Sequence, residues 1–448
     1  MELTRNQVQT KYGIIQGFPS GNMLVFKGVP YAKPPVGELR WKAPQEMEAW
    51  EGVYHADAFP DLPVAEVATE DTPFVGAFIR EFGQNRDYLF PMSEDCLYMN
   101  IWTPKNATKG KRLPVAFWIH GGGFVVGGAS DLEFDGEAYC EKDVILVSAE
   151  YRQGAFGYLA HPWLDAESEQ GTSGNYGCLD LIKALKWVYE NIEAFGGDPK
   201  NITVCGQSAG GISTQILASS PLTGNMISKA IMQSGLECTW EMVNSPTLKE
   251  EEESVGEAFV KESGAANLEE LRALNADQIM ELTGRIMPQM MAKGIFFAFV
   301  PVADGYVLDD KLQELYSNGA IRKIPYLTGC VAEEFGDIPE IVANGNPGPL
   351  KQQSINWSLK CEELGIPSYA YFFKHELPET FDTSVPPFHS SEIWYTMGTL
   401  GRSWRPMKEE DYSLSEEVVT CWTNFMKTGV PAEDWKTYTK EVPFIKEF

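Results

Sequence analysis

Histidine is scarce in this chain, with five in 448 residues, so any chemistry that needs an imidazole has few candidates. Cysteine is sparse too. Eight are scattered along the chain with no CxxC spacing and no histidine at zinc-ligand intervals, which argues against a disulfide scaffold and against a structural zinc site. Cys205, Cys330, Cys361 and Cys421 lie in apolar surroundings and read as reduced core residues. Basic residues are the minority: 36 Lys and Arg against 63 Asp and Glu give a net charge of −27. A field of that sign repels phosphate, which excludes nucleic acid and anionic membrane surfaces as partners and favours solubility. No apolar run has the length of a membrane span, and MELTRNQVQTKYG lacks the apolar core of a secretion signal. The expected location is therefore cytoplasmic, and the sequons at Asn106, Asn201 and Asn356 are background. With no linker, tandem repeat or low-complexity tract, residues 1–448 are expected to form a single domain.

What is present is an ordinary globular balance, 44% hydrophobic and 22% charged, in a chain long enough to bury a large core. Short strands are expected at Gly13–Gly17 and Met23–Phe26. Val115–Ile119, Val144–Ser148, Ile202–Cys205, Pro325–Thr328 and Ser368–Phe373 then read as buried strands, and helical stretches such as Leu179–Phe195 separate most of them. That alternation predicts an α/β fold with a mostly parallel sheet and functional loops at the strand C-termini. Residues from about 245 to 294 read as a helical cap segment. Lys249–Ser254 has the look of a solvated helix face, and Asn267 with Glu270 and Asn275 with Gln278 resemble reciprocal N-terminal caps. Met280, Met287, Met290 and Met291 follow at helical spacing, more in keeping with core than with an adaptable pocket. Ser413–Lys427 reads as one amphipathic helix with Val418, Trp422, Phe425 and Met426 inward.

Two motifs carry chemistry. Gly206-Gln207-Ser208-Ala209-Gly210 follows the strand-like Ile202–Cys205 and leads into small and apolar residues suited to a buried helix. Glycines on both sides of Ser208 let backbones pass closely, so its hydroxyl stands clear at a helix N-terminus. By itself GxSxG is a weak signal. Upstream, His120-Gly121-Gly122-Gly123-Phe124 closes the apolar run Leu113–Ile119. A strand ending in glycines exposes backbone N–H groups of the kind a developing oxyanion needs.

A serine nucleophile requires a base, and a group that orients the base. Of the five histidines, His55 lies near the N-terminus, His161 precedes Pro162 in a loop, His375 sits between charged residues, and His120 shapes the glycine loop. His389, in the rigid loop Pro386-Pro387-Phe388-His389-Ser390-Ser391 after the last expected strand, remains. In this arrangement the orienting acid lies between serine and histidine in chain order. The strand Leu327–Cys330 runs into a loop holding Glu333, Glu334 and Asp337, and local physics does not separate the three.

With these residues in view, the chain resembles the type-B carboxylesterase family of α/β hydrolases, which includes the cholinesterases, and within it the bacterial para-nitrobenzyl-esterase-like members. The resemblance spans nearly the whole length. It rests on GVPYAKPPVGELRWKAP (Gly28 to Pro44), SEDCLYMNIW (Ser93 to Trp102), HGGGF, YRQGAFGYL (Tyr151 to Leu159), NIEAFGGDP (Asn191 to Pro199) and GQSAGG. It implies Glu334 as the acid, Gly122, Gly123 and Ala209 as oxyanion donors, and Ser234 as a hydroxyl near the acid. It also implies structural ion pairs between Arg40 and Glu94 and between Arg152 and Asp180.

Four departures narrow the expectation. Cys96 stands where the family often forms a disulfide, but no cysteine precedes it. No tryptophan occurs between Trp50 and Trp102, where cholinesterases carry their choline-binding ring, which argues against cholinesterase activity. Gln207 precedes the serine where many relatives carry glutamate. The stretch from Glu334 to His389 is shorter than in the large animal enzymes, which suggests a more open, shallower entrance. The reading is a serine carboxylic ester hydrolase for small to medium acyl or aryl esters, with a Ser208-His389-Glu334 triad, an acyl-enzyme intermediate and no metal or organic cofactor. An amidase, carbamate hydrolase or acyltransferase would share this machinery. A catalytically silent binding protein on the same fold is the alternative from another class.

Overall fold

The computed structural model describes residues 3–66, 76–83, 90–239, 247–295, 297–334 and 349–448. Its frame is a ten-stranded sheet. In chain order the strands are β1 (Phe18–Ser20), β2 (Met23–Pro30), β3 (Tyr98–Pro104), β4 (Leu113–Ile119) and β5 (Ile145–Ala149). They continue with β6 (Gly197–Gln207), β7 (Lys229–Gln233), β8 (Tyr326–Val331), β9 (Ser368–Phe373) and β10 (Ile445–Glu447). Across the sheet the order is β10-β9-β8-β7-β6-β4-β5-β3-β2-β1. From β10 to β5 every neighbouring pair is parallel, and the remaining pairs at the β1 edge are antiparallel.

Parallel strands need helical crossovers, and the crossovers cover both faces, so the central strands are buried throughout. The side-chain alternation of β4 shows it. Val115, Phe117 and Ile119 join one core cluster, with Leu181 and Leu185 of helix α1 (Tyr176–Asn191) and Ile212 and Ile216 of helix α2 (Ala209–Ser219). Ala116 and Trp118 point the other way, into a second cluster. There they meet Val418, Trp422, Phe425 and Met426, the residues expected to face inward from the C-terminal helix.

That helix, α5, runs from Glu409 to Thr428, one turn earlier than its apolar pattern suggested, because Asp411 accepts from the Lys408 backbone N–H and caps a polar first turn. Helix α3 (Lys249–Ser263) and helix α4 (Ala276–Ala292) pack through Val255, Phe259, Ile279, Leu282 and Ile286 onto the first cluster. Asn275 and Gln278 form a reciprocal cap. At Asn267 only half of the expected exchange is present, since Glu270 reaches back to Ala266 instead.

Met290 is buried core, Met280 and Met287 pack against it, and Met291 is exposed. The acidic run at the start of α3 is not wholly solvated. Helical spacing turns Glu252 inward, fully buried, where it accepts from the backbone N–H of Phe299 at 3.0 Å. Arg40 pairs with Glu94 at 2.5 Å and also donates to the carbonyls of Arg272 and Leu274, joining the N-terminal region to the segment between α3 and α4. Arg152 and Asp180 form a second buried pair at 2.7 Å. All eight cysteines are unpaired and buried.

Candidate active site

β6 ends at Gln207, Ser208 turns the chain, and α2 begins at Ala209. Ser208 has φ 57° and ψ −126°, a conformation costly for a residue with a side chain, of order 1–3 kcal/mol. The turn is held from both sides. The Ser208 N–H donates to the Gln233 carbonyl at 2.9 Å, and its carbonyl accepts from Ile212 at 3.0 Å. Close packing explains two of the glycines. A Cβ on Gly210 would collide with the Ile119 carbonyl, and one on Gly235 with the Ser208 carbonyl. Phe124, Ser234 and Ser390 also take positive φ.

His389 Nε2 lies 2.8 Å from Ser208 Oγ, and His389 Nδ1 lies 2.5 Å from Glu334 Oε2. A carboxylate only accepts, so Nδ1 carries the proton and Nε2 is left to accept from the serine hydroxyl. Glu334 is 5% exposed, and its other oxygen accepts from the Val331 N–H at 2.8 Å. The rival acid Glu333 is exposed; its backbone N–H pairs with the Pro387 carbonyl while His389 N–H pairs with the Glu334 carbonyl. Asp337, the third candidate, lies outside the described residues.

Gly121 backs directly onto this turn, where a Cβ would stand 3.0 Å from Ser208 Cβ. The N–H groups of Gly122, Gly123 and Ala209 take no hydrogen-bond partner among the described residues. Each is nevertheless oriented through the carbonyl of its own peptide unit, which points the opposite way. His120 Nδ1 donates to the Gly121 carbonyl at 2.8 Å, Val125 and Val126 donate to the Gly122 carbonyl, and Ile212 donates to the Ser208 carbonyl. Burial holds His120 neutral, with its pKa lowered to about 4, and its ring stacks on Tyr151 at 4.6 Å. Behind the loop lie two more acids, Glu150 and Asp131, which burial pushes up to about 8 and about 7.

Gln207 is buried, with Nε2 at 3.4 Å from His389 Nε2 and Oε1 accepting from Ser390 Oγ at 3.0 Å. Ser234 is buried, and the partner of its hydroxyl is Glu392 Oε1 at 3.3 Å. Glu392 and Ser390 were missed in the sequence. The available signal was a lone acid three residues past His389, just before the apolar run Ile393-Trp394-Tyr395. Phe297 was missed as well; its ring edge would stand 3.5 Å from a Cβ on Gly123.

The other histidines are elsewhere. His161 accepts from Trp163 N–H and caps a short helix, His375 bonds Asp411 at 2.7 Å, and His55 is exposed on a three-residue strand. Among the described residues no three His, Cys, Asp or Glu side chains are grouped to hold a metal ion, and no helix is long and apolar enough to cross a membrane.

The sequence profile described as the Carboxylesterase family matches residues 4–360 and 349–446. A fumonisin B1 esterase from Sphingopyxis macrogoltabida is 38% identical, over 96% of this chain and 83% of that protein. The para-nitrobenzyl esterase of Bacillus subtilis (strain 168) is 31% identical, over 98% of this chain and 94% of that one. Among solved structures, a PNB esterase superposes with a TM-score of 0.83 at 28% identity, covering 99% of this chain and 96% of that one.

Proposed function

The chain belongs to the carboxylesterase family, a carboxylic ester hydrolase on the α/β-hydrolase fold, and from that premise we propose that Ser208, His389 and Glu334 are its catalytic triad. The observation that carries the proposal is the continuous chain from Ser208 Oγ to His389 Nε2 at 2.8 Å and from Nδ1 to Glu334 at 2.5 Å. Ser208 Oγ attacks the ester carbonyl while His389 takes its proton. The oxyanion that forms is met by the N–H groups of Gly122, Gly123 and Ala209, a donor of this kind contributing about 10²–10³ in rate. The imidazolium, held by Glu334, then protonates the leaving alcohol, and the acyl group remains on Ser208. Water, deprotonated by the same imidazole, releases it.

Gln207 and Ser390 support the face of the imidazole, and Ser234 acts through Glu392 on the acid side. The free N–H groups of the glycine loop, each aligned by its carbonyl partner, support the oxyanion assignment because they need no rearrangement to receive charge. Phe297 beside Gly123 supports an apolar acyl wall, hence small to medium acyl or aryl esters. Residues from about 245 to 294 are proposed as a cap within one domain spanning 1–448; of these, 245 and 246 lie outside the described residues. Eight buried, unpaired cysteines support a reducing, cytoplasmic setting.

The test is a ladder of p-nitrophenyl esters from acetate to decanoate, with one aryl acyl member and Ser208→Ala as the blank. Turnover that disappears in the variant supports the triad, and turnover that persists in it overturns the assignment of Ser208.

A further inference from the structure

Behind the glycine loop two buried side chains face each other without bonding. His120 Nδ1 lies 2.8 Å from the Gly121 carbonyl, and a carbonyl only accepts, so Nδ1 carries a proton. Burial keeps the ring neutral, with its pKa lowered to about 4, and a neutral imidazole has one N–H. Nε2 is therefore a lone pair that needs a donor, and it has no partner among the described residues. The ring is held in place. It stacks on Tyr151 at 4.6 Å, and the Tyr151 hydroxyl donates to the His120 carbonyl at 3.2 Å.

The polar atom opposite is Glu150 Oε2, 3.8 Å away, equally buried and also without a partner among the described residues. Glu150 directly follows β5; its N–H donates to the Tyr98 carbonyl at 3.0 Å, and its carbonyl accepts from the Tyr31 hydroxyl at 2.6 Å. With the main chain fixed at both ends, the side-chain torsions have about 1 Å to close to reach hydrogen-bond distance. The other carboxyl oxygen restrains them little, since its bond from Ser130 Oγ is 3.4 Å long. An ionised carboxylate would set two acceptors face to face, whereas a carboxylic acid supplies the missing donor. The surroundings favour the acid. Besides His120, the titratable groups facing Glu150 are Asp131, Tyr31, Tyr151 and Cys96, and burial, reinforced by the Asp131 charge, pushes Glu150 up to about 8.

We propose that Glu150 is a positioning residue for the oxyanion loop: its carboxyl O–H donates to His120 Nε2, fixes the ring proton on Nδ1, and so holds the Gly121–Gly122 peptide in line. With the proton on Nε2 instead, Nδ1 would turn a lone pair on the Gly121 carbonyl oxygen. That repulsion would swing the peptide unit to which the Gly122 N–H belongs. The proposal rests on the oxyanion reading, because the Gly122 N–H affects the rate only if it receives that charge.

The first measurement is the His120 tautomer in the unmodified protein at pH 7. Long-range proton–nitrogen correlation spectra of protein isotope-labelled at histidine read it, with His120→Leu identifying the signal. The expected result is a neutral ring protonated on Nδ1, and a proton on Nε2 overturns the proposal whatever the kinetics. The second measurement is steady-state kinetics at pH 7 on Glu150→Met, which cannot donate. It should shift His120 toward the Nε2–H form and lower kcat about tenfold with KM nearly unchanged, a part of the ~10²–10³ that a whole oxyanion donor supplies. Glu150→Gln, whose amide still donates, should recover most of that loss and restore the tautomer. A Glu150→Met protein that keeps both the Nδ1–H tautomer and its kcat overturns the proposal while the esterase reading stands. A changed tautomer with kcat unmoved would instead bring down Gly122 as an oxyanion donor, and this proposal with it.

Discussion

Ser234 Oγ donates to Glu392 Oε1 across 3.3 Å, and this buried glutamate, three residues beyond His389, in turn faces the charge of Glu334. Burial, reinforced by that neighbouring negative charge, pushes Glu392 up to about 8. At neutral pH it is a carboxylic acid beside the proposed triad carboxylate, and two acids can then share one buried space without both being charged.

Glu392→Gln, which keeps the neutral shape, should leave kcat/KM at pH 7 nearly unchanged. The two proteins should part on the alkaline side. As pH rises through about 8 the wild-type acid ionises next to Glu334 and activity should fall, whereas the glutamine variant should stay flat. A pH profile of kcat/KM for both proteins decides it, and identical alkaline limbs would remove Glu392 from the account.

Ser208→Ala should lower kcat by roughly 10⁶, and Glu334→Gln by about 10⁴, because an amide would hold the imidazole in the wrong tautomer. Glu333→Gln should be mild, since that side chain is exposed and only its backbone takes part in the pairing with Pro387. Steady-state kinetics on one p-nitrophenyl ester suffice, and a severe Glu333 variant with a mild Glu334 variant would shift the acid by one position.

His120→Leu removes the donor that orients the Gly121–Gly122 peptide. The expected loss is about 10–10² in kcat with little change in KM, because the Gly122 N–H is proposed to serve the oxyanion and not the ground-state ester. Affinity for a trifluoromethyl ketone analogue should fall in parallel, and His120→Asn, which retains an N–H, should recover part of both. A loss confined to KM would point to substrate contact instead.

Stability should decline on the alkaline side. Glu150 and Asp131 are pushed up by burial to about 8 and about 7, while in an unfolded chain such groups titrate near ~4. Between those values the folded protein holds more protons than the unfolded chain, so their stabilising contribution is complete below about pH 4 and is lost as pH rises through 7 and 8. Melting temperatures measured from about pH 5 to about pH 9 should fall, and Glu150→Gln should flatten that slope by several degrees. An unchanged slope would mean that Glu150 is already ionised at neutral pH.

The sheet was legible because its strands are buried on both faces and appear as continuous apolar runs, separated by helices whose apolar stripe repeats every third or fourth residue. Ser208 and the glycine loop were legible for a local reason too. A sharp strand-to-helix turn admits only small residues at set offsets, and the collisions awaiting a Cβ at Gly210 or Gly235 show why. Helix ends were less clear, and the start of α5 was misjudged by a turn because its cap, Asp411, lies in a polar stretch with no apolar rhythm.

What the sequence alone determined, then, was whatever depends on neighbours within a turn or a strand: the α/β frame, the elbow at Ser208, and the short choice of histidine. Local physics left the acid open among Glu333, Glu334 and Asp337, which share one loop and one chemistry, and only the family resemblance pointed to Glu334. In the tertiary structure the backbone of residues 333–334 pairs with that of 387–389 and Glu334 turns inward toward the imidazole, which is what supports Glu334 as the proposed acid. Glu392 and Glu150 belong to the same category. Their chemistry comes from desolvation by segments far apart in the chain, a quantity that has no value until those segments are packed together.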